Sequence, residues 1–493
     1  MKKLFIFSAL GLLLIISDRT FAQEIRKLSF DEVIKIAEEQ SPNALMAKHR
    51  YRASYWQYRT FKAEYMPSLT LIGTTPNYST AYDRVWNSST QQYEYKSTNI
   101  MRNIGTLALT QNIGFTGGTI SVNSDLTLEN DFENNTHNYI TAPVSIGFTQ
   151  PLFRYNSLRW QKKTEPLKYE AAKQTFLSNI ETVHSQAVQN FFMLALAQIN
   201  KQIAEMNFSN ADTLYRIAKG RYDLGTIAED ELLQMQLTWL NTETARKEAE
   251  MNLRDREIRL RSFLGFNENV RIELILPSEI PDLQVNVQEV LDLAMSKNPE
   301  ILNQQLTLLT AQSNVAQAKA EKGLNANLTA SYGLRDQDPE FPLAYQDPSR
   351  QQTVRLGIVV PILDWGLGRG KYRMAQSSLE LAQVQSEQAL IDFEQNLMLD
   401  VEQFNLQRQQ VAIAAKSDTV AMKMYEVTKQ RFLIGKIAVL ELNNADTKKD
   451  QNRRAYVQAL QNYWNYFYNL RGLALYDFIN RKPLETEYDK LLE

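Results

Sequence analysis

One short segment occurs twice in the chain, and this repeat constrains the fold more than any other feature. The first copy covers residues 218–227 and the second covers residues 428–437, with the two Arg residues 210 positions apart, at 221 and 431. Each copy contains Arg, an aromatic residue, two further residues and Gly, and stretches of helical periodicity flank both copies. Gly readily adopts the positive φ at which a helix ends, so each copy predicts the tight turn of a helical hairpin.

Two further pairs of segments repeat in the same order, which extends the duplication over most of the chain. Residues 32–42 resemble residues 289–299, and residues 146–152 resemble residues 356–362. The offset falls from 257 to 210 positions, so the first half contains 47 extra residues between Gly73 and Gly147. Each half is therefore predicted to contain a helical segment, alternating strands, a long helix, a Gly turn and a returning helix.

These patterns predict the boundaries of the segments. The predicted segments are a signal peptide at 1–22, a first repeat at 23–283, a second repeat at 284–475 and a polar C-terminal tail at 476–493. The first repeat contains strands at about 67–152, a long helical hairpin at about 157–265 and a linker at 266–283. The second repeat contains strands at about 325–363 and a long helical hairpin at about 369–473.

The N-terminal residues predict export from the cytoplasm. Lys2 and Lys3 precede a short apolar run, and Ala22 precedes the expected cleavage site of a signal peptide. No later stretch reaches the roughly 18 uninterrupted apolar residues of a spanning helix. The chain has no cysteine, which excludes disulfides, thiolate zinc sites and a lipid anchor on Cys. The net charge of −2 and the lack of basic runs do not indicate a nucleic-acid partner.

Alternation of apolar and polar residues predicts β-strands in both halves. Leu69, Thr70 and Leu71 illustrate the pattern, whereas polar segments at 77–98 and 130–138 are expected to form loops. Strands of about ten residues suit a membrane barrel, in which lipid-facing and lumen-facing side chains alternate. A secreted β-sandwich would show the same local pattern. The strands by themselves favour neither interpretation.

The long helices and the few strands both require further copies of the chain. A narrow apolar stripe that includes Val188, Phe192 and Ala195 needs a neighbouring helix to cover it. Two strands in one half and up to four in the other cannot close a barrel, and open strand edges cannot face lipid. Several copies around an axis satisfy both requirements, because they form a closed barrel that a tube of helices continues.

Three features of the sequence give it a resemblance to a known family. They are the two Arg-aromatic turns, the Pro-containing strand ends at 150–153 and 360–363, and the paired helix starts at 32–33 and 289–290. Together they resemble the TolC-like outer-membrane efflux protein family over nearly the whole mature chain. The resemblance implies a mixed α and β membrane protein: a homotrimer whose outer-membrane β-barrel, usually of four strands per subunit, continues as a long α-helical barrel of coiled-coil hairpins in the periplasm.

The resemblance also implies a function and its partners. The function is that of an exit channel in a tripartite efflux or type I secretion system. The implied partners are a periplasmic adaptor, an inner-membrane pump and outer-membrane lipid. The implied adaptor-docking tip comprises Arg221, Tyr222, Gly225, Arg431, Phe432 and Gly435. The implied periplasmic constriction comprises Glu231, Glu441 and Asn444, the last in place of an aspartate of the family pattern.

Each of these site residues also has an alternative interpretation. The glycines would be explained if they only end helices, and the acidic residues would be explained as solvated helix faces. If the resemblance holds, a ring of three Glu441 side chains would repel anions and favour cations. Protonation would relax the repulsion between the carboxylates, so pH would help to set opening.

Catalysis has little support in the sequence. The histidines His49, His137 and His184 are scattered, and no phosphate-binding glycine loop is present. No catalytic residue, cofactor or metal site is therefore expected. The alternative to a channel is a secreted or surface coiled-coil stalk or adhesin with a β domain. The second β segment, at 325–363, disfavours a stalk, because a stalk needs only one β head.

Overall fold

The computed structural model describes residues 25–266, 270–277, 279–434, 436–437 and 439–492. The predicted signal peptide at 1–22 and the predicted turn residue Gly435 lie outside these residues. The helices are α1 (Phe30–Gln40), α2 (Pro42–Ala63), α3 (Ser157–Asp223), α4 (Glu229–Leu264), α5 (Val287–Lys297), α6 (Pro299–Glu321), α7 (Leu367–Leu433) and α8 (Val439–Ala474). The strands are β1 (Ile25–Ser29), β2 (Ser68–Asn87), β3 (Gln92–Ile113), β4 (Gly118–Asp131), β5 (Thr136–Leu152), β6 (Arg271–Ile275), β7 (Asn325–Asp338), β8 (Ser349–Val359), β9 (Tyr476–Asp477) and β10 (Lys482–Pro483).

The helices of the two halves repeat in order and in length. Helices α1 and α2 have 11 and 22 residues, and α5 and α6 have 11 and 23. The long helices α3 and α7 have 67 residues each, and α4 and α8 have 36 each. Four strands separate α2 from α3, whereas two separate α6 from α7. Among the described residues, no helix combines the length and the apolar character needed to cross a membrane.

Local hydrogen bonds explain where the short helices begin. The backbone N–H of Ser29 donates to Glu32 Oε2 at 2.8 Å, and the N–H of Glu32 donates to Ser29 Oγ at 3.3 Å. This reciprocal pair satisfies two donors at the start of α1. Pro42 opens α2, where its missing N–H costs nothing. In the second half, Asn286 Oδ1 accepts from the N–H of Gln288 at 2.8 Å and begins α5.

The chain divides into two compact units, which are described separately. The first contains residues 1–50, 174–298 and 394–493, and the second contains residues 51–173 and 299–393. Both units are discontinuous in sequence, because each combines segments from the two repeats.

Aromatic side chains from four helices form the core of the first unit. The ring of Phe30 in α1 lies 5.3 Å from that of Phe191 in α3 and 4.7 Å from that of Trp464 in α8, between centroids. The ring of Phe404 in α7 lies 5.4 Å from that of Tyr463 in α8. Such pairs contribute about 0.5–1.5 kcal/mol each beyond the burial of their surface. The core therefore joins helices of both repeats.

The segment predicted to be a linker, residues 266–283, contains a strand. Strand β6 pairs in parallel with β1, and Ile272 is buried. Gln198 of α3 holds this strand, since its Nε2 donates to the carbonyl of Ile272 at 2.7 Å and its Oε1 accepts from the N–H of Leu274 at 3.3 Å. A run of five residues close to two prolines is too short for its alternation to stand out in the sequence.

The C-terminal segment, predicted to be a polar tail at 476–493, begins with a folded hairpin. Strands β9 and β10 pair antiparallel, and Asp477 and Phe478 are buried. The carboxylate of Asp477 accepts from the backbone N–H groups of Ile479 and Asn480, both at 3.0 Å. These bonds form a turn that a count of polar residues does not reveal.

The second unit contains one antiparallel sheet of six strands, in the order β2-β3-β4-β5-β7-β8. The segment 77–98, expected to be a loop, is mostly strand, because β2 continues to Asn87 and β3 begins at Gln92. Thr, Tyr and Val in this segment favour strands. The expected loop at 130–138 likewise shortens to a turn after Asp131. The last strand, predicted to reach residue 363, ends at Val359.

Candidate docking turns and pore-lining residues

The turn between α3 and α4 has the hydrogen bonds of a Schellman motif. Gly225 has a φ of 69°, and its N–H donates to the carbonyl of Tyr222 at 2.8 Å. The N–H of Thr226 donates to the carbonyl of Arg221 at 2.9 Å, and the Thr226 hydroxyl donates to the same carbonyl at 2.8 Å. These bonds satisfy carbonyls that the end of a helix leaves free. They hold Arg221 and Tyr222 in the last turn of α3.

The turn between α7 and α8 repeats one of these bonds at the equivalent position. The N–H of Lys436 donates to the carbonyl of Arg431 at 2.9 Å, as that of Thr226 does to Arg221. Gly435 lies outside the described residues, so the comparison of the two turns rests on this bond and on the equal spacing of Arg, aromatic residue and Gly in the two copies. Arg431 is exposed and Phe432 is half-buried.

The aromatic residues of the two turns have different surroundings. Tyr222 is 39 % exposed, beside Leu224 at 80 %. Phe432 lines a cavity of about 470 Å³ between the four long helices, together with Leu214 and Met235 of the first hairpin. The first aromatic is therefore accessible to a partner, whereas the second is partly enclosed by the chain itself.

The three residues expected at the constriction all lie at the start of the returning helices. Glu231 is in the first turn of α4, Glu441 is in the first turn of α8, and Asn444 follows three residues later. All three are exposed. A carboxylate at a helix N-terminus gains about 0.3–1 kcal/mol from the helix dipole. The acidic residues therefore stabilise their helices, and their side chains are accessible to solvent.

A buried charged cluster, which the sequence pattern did not indicate, lies beside the cavity of Phe432. The side chains of Lys449 and Asp450 are each 6 % exposed, and Lys449 Nζ lies 2.5 Å from Asp446 Oδ1 and 3.4 Å from Asp450 Oδ1. It also lies 4.0 Å from the ring centroid of Tyr425. Burial lowers the pKa of Lys449, but the bond to Asp446 and the nearby negative charges outweigh it and hold the pKa above its ordinary value.

The only sequence signal for this cluster is the spacing Asp446-x-x-Lys449-Asp450. That spacing places opposite charges on one face of a helix. The same spacing of opposite charges is equally common on solvated helix faces, so the burial of these residues could not be inferred from the spacing. The cluster connects α7 with α8 behind the second turn, because Tyr425 belongs to α7.

Comparison with protein families gives one clear match. The model of the family described as outer membrane efflux protein matches residues 33–266 and 290–474. These two ranges correspond to the two repeats. A comparison with curated proteins finds no match.

Solved structures with the same fold include outer-membrane channels. The CmeC outer membrane channel of Campylobacter jejuni has a TM-score of 0.66 at 15 % identity, over 94 % of this chain and 88 % of that chain. The outer membrane protein VceC of Vibrio cholerae has a TM-score of 0.62 at 14 % identity, over 92 % and 97 %. The open state of the MtrE outer membrane channel of Neisseria gonorrhoeae has a TM-score of 0.51 at 15 % identity, over 93 % and 91 %.

The expected resemblance is thereby confirmed. At these identities the structures show the fold, which is the mixed α and β fold of TolC-like channels. The family model adds the sequence evidence over most of the chain. With its two matched repeats, this chain belongs to the outer membrane efflux protein family.

Proposed function

We propose that this chain is the outer-membrane exit channel of a tripartite efflux or type I secretion system. The observation that carries the proposal is the two-faced character of the six-stranded sheet. On one face lie exposed apolar side chains, among them Leu69 at 66 % and Ile146 at 50 %. On the other lie small polar residues such as Ser121 and Ser331. Such a sheet fits lipid on its outside and a water-filled lumen on its inside.

A homotrimer is the proposed assembly, because the described sheet of one chain has two open edges. In the described part of the chain, β2 and β8 each have a strand neighbour on one side only. Strand edges with free N–H and C=O groups cannot face lipid. Three copies around an axis pair these edges and close a barrel in the outer membrane, surrounded by lipid.

An exposed heptad stripe on α7 supports the same assembly. On one face of α7, Leu397, Val401 and Phe404 are buried within the chain. A second set lies seven residues apart and is 44–61 % exposed: Leu399, Leu406, Ile413, Val420 and Val427. A strict seven-residue spacing of apolar residues is the repeat of one core position in a coiled coil. In the proposed trimer, a helix of the neighbouring copy covers this stripe, and the hairpins form a periplasmic tunnel.

The two turns are the proposed docking site of the periplasmic adaptor, which connects the channel to an inner-membrane pump. The site comprises Arg221, Tyr222, Gly225, Arg431, Phe432 and Gly435. The exposed ring of Tyr222 and the fixed Schellman turn at Gly225 support this proposal for the first turn. Glu231, Glu441 and Asn444, a few residues further along each returning helix, are the proposed lining of the periplasmic constriction.

Membrane extraction followed by imaging tests the proposed function. We expect the mature protein to stay in the outer-membrane fraction in high salt and to require detergent for release. Single-particle images should then show a three-fold tube with a detergent band at one end. Each 67-residue helix is about 100 Å long at 1.5 Å per residue. Release by salt, as monomers or as filaments without a detergent band, would contradict the proposal and favour a surface stalk.

A further inference from the structure

The hairpin formed by β3 and β4 exceeds the four strands per subunit that the family resemblance implies. These two strands lie between β2 and β5, and they account for most of the extra residues in the first half. They could fold beside the membrane or form part of the barrel wall. The register of the sheet distinguishes these two arrangements.

Two neighbouring rows of paired residues cross all six strands and differ in polarity. The first row is Ser68, Thr110, Ser121, Gly147, Ser331 and Thr353, and it contains only small or polar residues. The next row is Leu69, Leu109, Val122, Ile146, Tyr332 and Gln352, and it is apolar on five strands. Because adjacent rows point to opposite faces, β3 and β4 carry the same two faces as the other strands.

The apolar residues form an exposed band that continues through β3 and β4. Leu107 and Leu109 on β3 are 44 % and 42 % exposed, and Ile120 on β4 is 41 % exposed. Val354 and Leu356 on β8 are 77 % and 54 % exposed. A hairpin outside the membrane would have no reason to extend this band at matching positions. Lipid is the partner that suits an apolar band of this kind on one face of a sheet.

The band crosses the strands obliquely, as in a tilted barrel. Through the pairing of successive strands, Val354 on β8 is level with Gln111 on β3. The exposed aliphatic residues on this face of β8 centre on Leu356, beyond that level, whereas those of β3 are Leu107 and Leu109. The offset is about five residues over four strand steps, which corresponds to a tilt of roughly 40° at about 3.3 Å per residue and 4.8 Å between strands. Strands of outer-membrane barrels tilt by about 35–45°.

We infer that all six strands of each subunit lie in the membrane wall, and that β8 of one copy pairs with β2 of the next. The inference rests on the proposed trimeric channel and deepens it. The six strands alternate in direction, so β2 and β8 are antiparallel and extend the sheet without exchanging its faces. Three sheets of six strands form a barrel of 18 strands. Since diameter grows roughly linearly with strand number, this barrel is about one and a half times as wide as one of 12 strands.

Cysteine labelling in intact outer membranes tests the inference, because the natural chain contains no cysteine. Ser121→Cys and Val122→Cys are neighbours on β4, and a small membrane-impermeant maleimide is the probe. We expect Ser121→Cys to react at least about tenfold faster than Val122→Cys, because a thiol needs water to ionise and react. Both variants should react equally after denaturation. Equal rates in the membrane would overturn the inference.

Strand β5 provides the matched control, because it lies in the barrel wall whether each subunit contributes four strands or six. Ser145→Cys should react faster than Ile146→Cys. If the labelling rate alternates between neighbouring positions of β5 but not of β4, the extra hairpin lies outside the wall and the channel proposal stands. If neither strand alternates, the channel proposal itself fails.

Disulfide cross-linking tests the seam between copies. Thr70→Cys on β2 is combined in turn with cysteine at positions 353, 355 and 357 of β8, which lie on the polar face. We expect one combination to give covalently linked trimers under oxidising conditions, because paired strands bring Cβ atoms to about 4.5–5.5 Å. Thr70→Cys alone should give none. Failure of all three combinations, in protein whose β5 alternates normally, would contradict the β2–β8 seam.

Discussion

Gly225 is the residue at which the first hairpin reverses, and its backbone conformation demands glycine. Its φ of 69° costs about 1–2 kcal/mol for a residue with a Cβ atom. We expect Gly225→Ala to weaken the bonds from residues 225 and 226 to the carbonyls of Tyr222 and Arg221. Hydrogen exchange of these amides should accelerate roughly tenfold, the factor that about 1.4 kcal/mol represents.

Gly220, five residues earlier, provides the matched control. It lies inside α3, and a Cβ atom at this position would meet nothing within 4 Å apart from its chain neighbours and the backbone of its own helix. Ala is better than Gly in a helix by about 0.5–1 kcal/mol, so Gly220→Ala should slow exchange in the last turns of α3 or leave it unchanged. Similar acceleration in both variants would mean that any added methyl group disturbs the tip, and that the φ of Gly225 is not the cause.

Single residues were predictable from the sequence where a local rule applies to them. Gly225 was predicted as the turn residue because few other residues adopt positive φ at a helix end. Burial of Lys449 was not predictable, because it depends on Tyr425 of another helix, 24 positions earlier. The half-buried state of Phe432 has the same origin, since helices of the first hairpin enclose its cavity.

At the level of elements, an ionic cluster around the buried residues His184 and Glu181 connects the C-terminal hairpin to the helices of the first unit. His184 Nε2 lies 3.2 Å from Glu38 Oε2, and His184 Nδ1 lies 3.3 Å from Glu181 Oε1. Arg471 contacts Glu181 at 3.0 Å and Asp477 at 3.7 Å. The cluster therefore joins α1, α3, α8 and β9.

The charge of His184 makes this connection dependent on pH. Burial is the largest influence and lowers the pKa of His184, but hydrogen bonds and charges from Glu181 and Glu38 outweigh it, so the pKa lies above its ordinary value. A raised pKa means that protonation stabilises the fold. The contribution is complete below the unfolded pKa of about 6.5 and is lost as pH rises through the folded pKa.

We expect the C-terminal hairpin to open more readily as pH rises from about 6 to about 8.5, because the carboxylates lose a facing cation. His184→Gln should remove this trend, and it should lower the opening free energy at pH 6 by about 1.5–3 kcal/mol, the range for hydrogen bonds to charged groups. Hydrogen exchange of residues 476–484, corrected for the intrinsic effect of pH, measures both quantities. His49→Gln, at an exposed position of α2, should retain the trend. If hairpin opening in His184→Gln kept the same pH dependence, a group other than His184 would be responsible for it.

Periodicity predicted the helices well and the strands less well. A helix satisfies its own backbone, so a period near 3.6 sustained over many turns was sufficient to indicate α3 and α7. A strand depends on its neighbour, and the polar composition of residues 77–98 by itself predicts a loop. They form strand because β2 and β3 pair from Tyr78 with Met101 to Asn87 with Gln92. The same dependence hid β6, whose partner β1 is at the other end of the first repeat.

For the whole molecule, the duplication carries most of the predictive information. Equal lengths of α3 and α7, and of α4 and α8, place the two turns at matching positions along the two repeats. Two hairpins of equal length can reach one common end of a tunnel. In the proposed trimer, the residues just beyond the turns therefore form rings. Because the three copies are identical, each substitution occurs three times around the pore.

Glu441 is the residue at which the effect of three symmetric copies should be easiest to measure, as a change in ion selectivity. Three unit charges about 10 Å from an ion in water contribute about 1 kcal/mol, so Glu441→Gln should reduce cation-over-anion selectivity by roughly two- to fivefold at low salt. The reversal potential of channels in a planar bilayer under a salt gradient measures this change. Asn444→Asp adds three charges nearby and should shift the potential in the opposite direction. If Glu441→Gln altered neither selectivity nor drug tolerance of the cells, Glu441 would only stabilise the start of α8 through the helix dipole.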